Sequence, residues 1–447
     1  MKKELNMVVH TFDFPENLNI PPQCQDIIFS PCWASDFVHF YYLINFKDKK
    51  IVVFEIDLKE EVNIFKEIMK EYKDYPNTPH NMTFNQLIGY VFMAHQGEQG
   101  NNLIIVSLIH TNFFIKIDLT SNKAYKIYDE NCSNQKVYSS TNQIINNKMY
   151  TCRWEFKDMY KRFENPSLKV DLDIIEYDIE NDKFNIVETV PCADQIHSVN
   201  LTPDNRYLVL VEMNTDPKLP YPKKIEEETV EIKREIYNNG LRDSLCLTYD
   251  LHNKKYWINV IPDCPAHIEF DELKDNTFFI TLNKLGYNRD NVSSFGAGSI
   301  EKYSINENKT TKLGVYGNDP NFIRLAGHRF FRFNNEEKIV VTVHPNQVFM
   351  LNASDMTLDK KIKLKENIKK ISFSDGALVY PLRIIDKSPF SVNFCENSPY
   401  IYLDNVLTIA IYNFVEEKYE CEFKFNCGMP IVGEGHSTKF NTNYLMK

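Results

Sequence analysis

One short pattern recurs along this chain and constrains it more than any other feature. A strand-forming run ends in Tyr or Ile, then Asp or Ser, then Leu or Ile, followed by a polar turn and a Lys that opens the next strand. KIDLTSNKAYKI (116–127), EYDIENDKFNI (176–186), TYDLHNKKYWI (248–258) and KYSINENKTTKL (302–313) all carry it. Between these hairpins lie further β-branched and aromatic runs, including FVHFYYLINF (37–46), LIIVSLIH (103–110), YLVLVEM (207–213) and VLTIAIYNF (406–414). Asn, Asp, Gly and Lys turns separate them. A strand–turn unit repeated at roughly 50 residues is the scale of a four-stranded propeller blade.

The innermost strands are then expected to begin near residues 37, 92, 140, 196, 266, 328 and 390. The expected fold is all-β: one seven-bladed β-propeller spanning 1–447, with inter-strand loop and helix insertions capping one face. A closed all-β unit can use this length as a single domain. Hydrophobic residues at 43% and aromatics at 13% are enough for its core, and 14 Gly with 20 Pro argue against a disordered or fibrous chain. Two segments break the strand pattern. Residues 59–73 place Val62, Ile64, Phe65 and Ile68 at helical spacing, and residues 215–243 are Pro-rich and then charged, a solvated excursion or a lid.

The net charge of −10 comes without a Lys/Arg-rich stripe, which excludes nucleic acid as the expected partner. The ten cysteines form no C-x-x-C pair, so a structural zinc site is not expected. MKKELNMVVHTFDF has no apolar h-region, and no run approaches 18 apolar residues. A reduced, cytoplasmic protein is the expectation.

Chemistry, in such a chain, falls to the histidines. His197 (QIHSVNLT) and His267 (PAHIEF) both stand where an innermost strand begins, and His436 (GEGHSTKF) lies in the last strand, which commonly closes such a ring. Three neutral imidazoles from separate blades suit Fe(II), Zn or Mn. A single histidine is more often an ordinary hydrogen-bonded residue. His95 (MAHQGEQG) and His328 (AGHRFF) are read that way, as turn-adjacent residues, although both begin strands. His10, His39, His80, His252 and His344 have no convergent partners in the sequence.

At these residues the chain resembles the carotenoid cleavage oxygenases, a family that also includes stilbene cleavage enzymes and a retinoid isomerase. HSVNLTPDNRYLVLVE (197–212) is similar to its H-S-x-x-x-T-x-x-Y-x-V-x-x-E strand. PAHIEFDELKDNTFFITL resembles its double-histidine strand, and Ile109 to Ile117 its t-E-t-n-f-x-x-K-I segment. DPNFIRLAGHRFFRF resembles E-x-P-R-I-x-x-x-x-G-x-x-Y-R-Y, and MPIVGEGHSTKF the terminal P-x-x-x-H-G. The matches are collinear from about residue 33 to 437.

That resemblance implies Fe(II) on the propeller axis, held by His197, His267 and His436, with O₂ cleaving a conjugated double bond of a lipophilic substrate. It also implies departures. Asn142 stands where the family's first histidine is expected, and His110 where its orienting glutamate is expected. A second glutamate would fall around Asn321, close to Asp319, and a third is matched by Glu396. Asn142, His110, Glu396 and Asp319 are therefore expected at a fourth ligand position or behind the ligands. Peripheral membrane contact, which the family uses to extract substrate, needs an exposed apolar patch, and no amphipathic anchor stands out. Two other readings remain: a decayed propeller serving as a binding scaffold, and a metal-dependent lactonase or lyase. The latter favours carboxylate or Asn ligands such as Asn142, Asn200 and Asp194.

Overall fold

A computed structural model gives the fold. It describes residues 1–14, 16–18, 20–21, 24, 26–33, 37–70, 84–92, 94–100, 102–108, 110–139, 143–156, 170–192, 196–212, 244–261, 264–270, 276–287, 293–316, 325–343, 347–363, 391–394, 400–405, 408–424 and 432–439. The segment 215–243 and residues 71–73 lie outside them.

The repeated hairpin has a simple physical basis. Asp118 Oδ1 accepts hydrogen bonds from the backbone N–H of Thr120 (2.8 Å) and Ser121 (3.2 Å). Asp178 does the same for Glu180 and Asn181, and Asp250 for His252 and Asn253. Each side chain thus replaces the strand partners that the turn amides have lost. The turn then closes through a residue in the left-handed region, Asn122 (φ 52°), Asp182 (51°) or Lys254 (53°), before the lysine that pairs with the capping aspartate. Asn413 builds the same turn through Val415 and Glu416, with Glu417 at φ 55°. KYSINENKTTKL differs: Asn306 pairs with Lys309 across a tighter two-residue turn with Asn308 at φ 60°.

Among the described residues these hairpins assemble into seven antiparallel sheets. The strand that begins each sheet is here termed its leading strand. The first sheet is assembled from both ends of the chain: Val432–Lys439 leads at one edge, followed by Ile27–Trp33, Val38–Asn45, Lys50–Asp57 and, at the far edge, Met7–Asp13. Ala94–Gly100 leads the second sheet, whose far edge is completed by Lys2–Leu5. Lys136–Tyr138 with Gln143–Ile145 lead the third, Ile196–Leu201 the fourth, Cys264–Phe270 the fifth, Leu325–Phe333 the sixth and Ser391–Phe394 the seventh. The expected start near residue 37 is corrected by this order. Phe37 precedes Val38–Asn45, the middle strand of the first sheet, because a C-terminal strand occupies the leading edge.

Neighbouring sheets pack through two-sided apolar faces. Val38–Asn45 is buried on both sides: Tyr41 and Leu43 belong to one cluster with Ile104 and Ile115 of the second sheet, Tyr42 and Ile44 to another with Ile411 of the seventh. Period-2 alternation places successive residues on opposite faces, so a strand hydrophobic throughout must be covered twice. Leu103 and Phe114 of the second sheet meet Tyr138 and Tyr177 of the third, and Tyr207 of the fourth meets Phe278 and Tyr303 of the fifth. Phe279 of the fifth packs with Phe330 and Phe349 of the sixth. Each fully buried aromatic of this kind is worth about 1.5–3 kcal/mol. The sixth and seventh sheets are joined by Lys360, which donates to the Phe414 carbonyl at 2.7 Å and pairs with Glu417.

Two helices lie between the first and second sheets: α1 (Lys59–Ile68) and α2 (Phe84–Val91). In α1, Val62 and Phe65 are buried, but Ile64 is 43% exposed and stands off the apolar stripe. Phe65 packs edge-on against Phe92 and Phe156, with ring centroids 5.5 and 6.0 Å apart. Buried Glu61 pairs with Lys3 of the N-terminal strand and Lys126 of the second sheet. The helix α2 has no forewarning in its sequence, since a short apolar run reads equally as strand or helix. No helix among the described residues is long and apolar enough to cross a membrane.

Candidate metal centre

The leading strands contact one another in cyclic order. Ala94–Gly100 touches Gln143–Ile145, which touches Ile196–Leu201, and the contacts continue through Cys264–Phe270, Leu325–Phe333 and Ser391–Phe394 to Val432–Lys439. Val432–Lys439 in turn touches Ala94–Gly100. Residues at one level of these strands are therefore brought together from sheets distant in sequence.

Five of the seven leading strands share a distortion near their first residues. In the fourth sheet Ile196 pairs with Glu212 and Ser198 with Val211, so His197 is an extra residue. In the fifth, Pro265 pairs with Leu282 and Ile268 with Ile280, leaving Ala266 and His267 against one partner residue. In the second, Ala94 pairs with Leu108 and Gln96 with Ser107, with His95 between. Leu325 and His328 pair with Val343 and Val341 in the sixth sheet, around Ala326 and Gly327. Val432 and Gly435 pair with Trp33 and Pro31 in the first, around Gly433 and Glu434. Each is a one-residue β-bulge, a device that re-aims the strand and is common beside active sites.

Counting back one residue from the first regular pair after each bulge gives His95, His197, His267, Gly327 and Glu434. His197 and His267 thus hold equivalent positions on adjacent strands, as the sequence leads one to expect. His436 does not share that position: it pairs with Ser30, two residues beyond Glu434. His95, read from sequence as turn-adjacent, lies inside its strand at the position shared with His197 and His267. The signal available in the sequence was that all three follow the first one to three residues of a strand. Asn142, Asp319 and Glu396 lie outside the described residues, as do the side chains of His95, His197, His267, His436 and Glu434. Among the described residues no group of three or more His, Cys, Asp or Glu forms a metal cage.

The described surroundings anchor the backbone at His197. Ser139 Oγ, fully buried, donates to the Ile196 carbonyl at 3.0 Å, tying the third sheet to the residue before His197. Asn200 Nδ2 donates to Ser198 Oγ at 2.6 Å. Thr202 and Tyr207, part of the recognised strand motif, close its hairpin: the Tyr207 N–H donates to Thr202 Oγ1 and the Thr202 N–H to the Tyr207 carbonyl, both at 2.9 Å. That portion of the motif is explained by turn formation.

His110 belongs to the core. It is 2% exposed, its backbone N–H reaches the Val91 carbonyl at 3.2 Å, and its ring lies edge-on to Trp154 at 5.6 Å. His39 is also buried, with Nδ1 3.3 Å from the Tyr41 hydroxyl, and burial pushes its imidazole down to about 3. His10 pairs with Glu55 at 2.8 Å.

No family model matches the chain, and no curated protein matches it. Among solved structures it is similar to a chain of the mitotic checkpoint complex, with 8% identity over 62% of this chain and 61% of that one and a TM-score of 0.36. It is also similar to an oligogalacturonate lyase in complex with manganese, with 9% identity over 74% of this chain and 73% of that one and a TM-score of 0.41. The chain spans less than two thirds of the checkpoint protein it matches.

Proposed function

We propose that the seven sheets are the blades of one propeller and that the chain is a metal-dependent enzyme with its metal at the level of the leading-strand bulges. The reaction assigned to it is oxidative cleavage of a conjugated double bond in a lipophilic substrate, with Fe(II) as metal and O₂ as co-substrate. The cyclic contacts of the leading strands and the packing of the first sheet on both the second and the seventh support the ring.

One observation carries the metal reading: His197 and His267 occupy equivalent bulge positions on adjacent leading strands. A shared register position on neighbouring strands is what two ligands of one ion require, and neutral imidazole is a donor suited to iron, zinc and manganese. The donor chemistry at these positions fits a divalent ion. When bound, Fe(II) with open positions supplies the capacity to engage O₂. The chain's own contribution is positional. The Ser139–Ile196 bond fixes the backbone beside His197, and the bulges set the register position that the two histidines share. The choice of iron and of a polyene rests on the motif resemblance.

The reaction is tested by reconstituting the full chain anaerobically with Fe(II) and exposing it to apocarotenoids and stilbenoids under ¹⁸O₂. Two carbonyl products carrying ¹⁸O, absent from a His197→Ala/His267→Ala variant, support dioxygenase cleavage. Elimination, without O₂, of a leaving group β to the acidic C–H of a carboxylate-bearing substrate by the Mn(II)-loaded protein would replace it with the lyase reading. A protein that binds no metal is a scaffold.

A further inference from the structure

We propose that His95 and Glu434, rather than His436, join His197 and His267 in a three-histidine, one-carboxylate site for Mn(II) or Fe(II). The inference rests on the metal reading above and changes its ligand set. Its basis is juxtaposition: these four residues hold one register position on four leading strands that meet around one ring.

The cyclic order arranges them as two adjacent pairs. Glu434 and His95 lie on neighbouring strands, as do His197 and His267, and the third sheet's leading strand separates the pairs on one side. On the other side stand the leading strands of the sixth and seventh sheets, and at this level the sixth carries Gly327, which has no side chain to offer. The four residues thus stand on two pairs of neighbouring strands, with Gly327 at the same register position on the sixth.

His436 fits less well for a reason visible in the same register. It stands two residues beyond Glu434, about 6–7 Å further along an extended strand. The positions matching it on the other strands are Gly97, Val199, Glu269 and Arg329. Val199 is 1% exposed and part of the apolar core, so that level supplies few donors. At the bulge level three imidazoles and a carboxylate leave a divalent ion one net positive charge. Mixed nitrogen and carboxylate donors suit Mn(II) and Fe(II), whereas magnesium and calcium favour oxygen alone.

The test is calorimetric titration of the metal-free full chain with Mn(II), and with Fe(II) under anaerobic conditions. The variants are His95→Gln, Glu434→Gln, His436→Gln and the His197→Ala/His267→Ala pair. Expected are losses of at least about a hundredfold for His95→Gln and Glu434→Gln, since even indirect partners of a metal cost about 10–100-fold. His436→Gln should stay within about twofold of the parent, and unchanged metal-free thermal midpoints exclude misfolding as the cause. Should His436→Gln abolish binding while His95→Gln and Glu434→Gln leave it intact, the inference falls and the metal reading stands. A parent that binds neither metal overturns both. A manganese-edge anomalous map of the loaded parent puts the same question without a substitution: an ion beside Glu434 and His95 upholds the proposal, and one beside His436 refutes it.

Discussion

Replacing Asp173 by alanine should destabilise the third sheet through a buried charge left short of its partner. Asp173 is 4% exposed and accepts hydrogen bonds from Lys136 Nζ (2.6 Å), Arg153 Nε (3.2 Å) and Thr189 Oγ1 (2.9 Å). Burial works to raise its carboxyl, but hydrogen bonds from Lys136, Thr189 and Arg153, with the Lys136 charge, hold it below the ordinary carboxylate range. Breaking a buried ion pair from one side typically costs about 3–5 kcal/mol. The lower end applies here, because Arg153 retains Asp129 at 2.7 Å and Lys136, 27% exposed, can turn to water. An unfolding entropy of about 2.1 cal/mol/K per residue gives about 0.9 kcal/mol/K for the chain, so a 3 kcal/mol loss lowers the midpoint by only about 3 °C if the ring unfolds as one. A third sheet unfolding alone would shift several-fold further. Calorimetry at pH 7 distinguishes the two. The acid limb offers an independent check. A depressed carboxyl contributes stability above its unfolded value near 4 and loses it as pH falls through the folded value, so Asp173→Ala should flatten that loss. A variant melting within 1 °C of the parent with an unchanged acid limb would refute the reasoning.

Three further outcomes follow from described residues. His39, pushed to about 3 by burial, stays neutral in the fold while its unfolded counterpart gains a proton below about 6.5. Stability should therefore fall by about 1.4 kcal/mol per pH unit below that point, and His39→Gln should remove that slope in urea titrations at pH 7 and 5. Lys254 adopts φ 53° in a hairpin where Asn122 and Asp182 serve elsewhere, so Lys254→Asn should raise stability by up to about 1 kcal/mol, read from the urea midpoint. Thr310→Val removes a hydroxyl that accepts from Trp257 Nε1 at 2.9 Å and meets Thr248 Oγ1 at 3.2 Å. It should cost about 1–3 kcal/mol by the same assay, with no change if solvent satisfies both partners.

The all-β character was legible because the hairpin chemistry is local. Asp118, Asp178 and Asp250 cap their turns from within a few residues, so the repeat declares itself in the sequence. The first sheet is not legible for the opposite reason: its leading strand comes from the C-terminal part of the chain, a pairing no local pattern carries. Val38–Asn45, apolar on both sides, looked like an innermost strand because it is covered twice. The strand-start positions of His197 and His267 are legible because each directly follows turn residues. The equivalence of His95 and Glu434 with them is not legible, because a β-bulge is a property of two paired strands and only the register equates the four positions.

Elemental analysis of the full chain, purified without chelator or affinity tag beside the His197→Ala/His267→Ala variant, tests the central claim most directly. The account predicts near-stoichiometric iron or manganese in the parent and its loss from the variant. A parent without metal, or equal metal in both proteins, would contradict it.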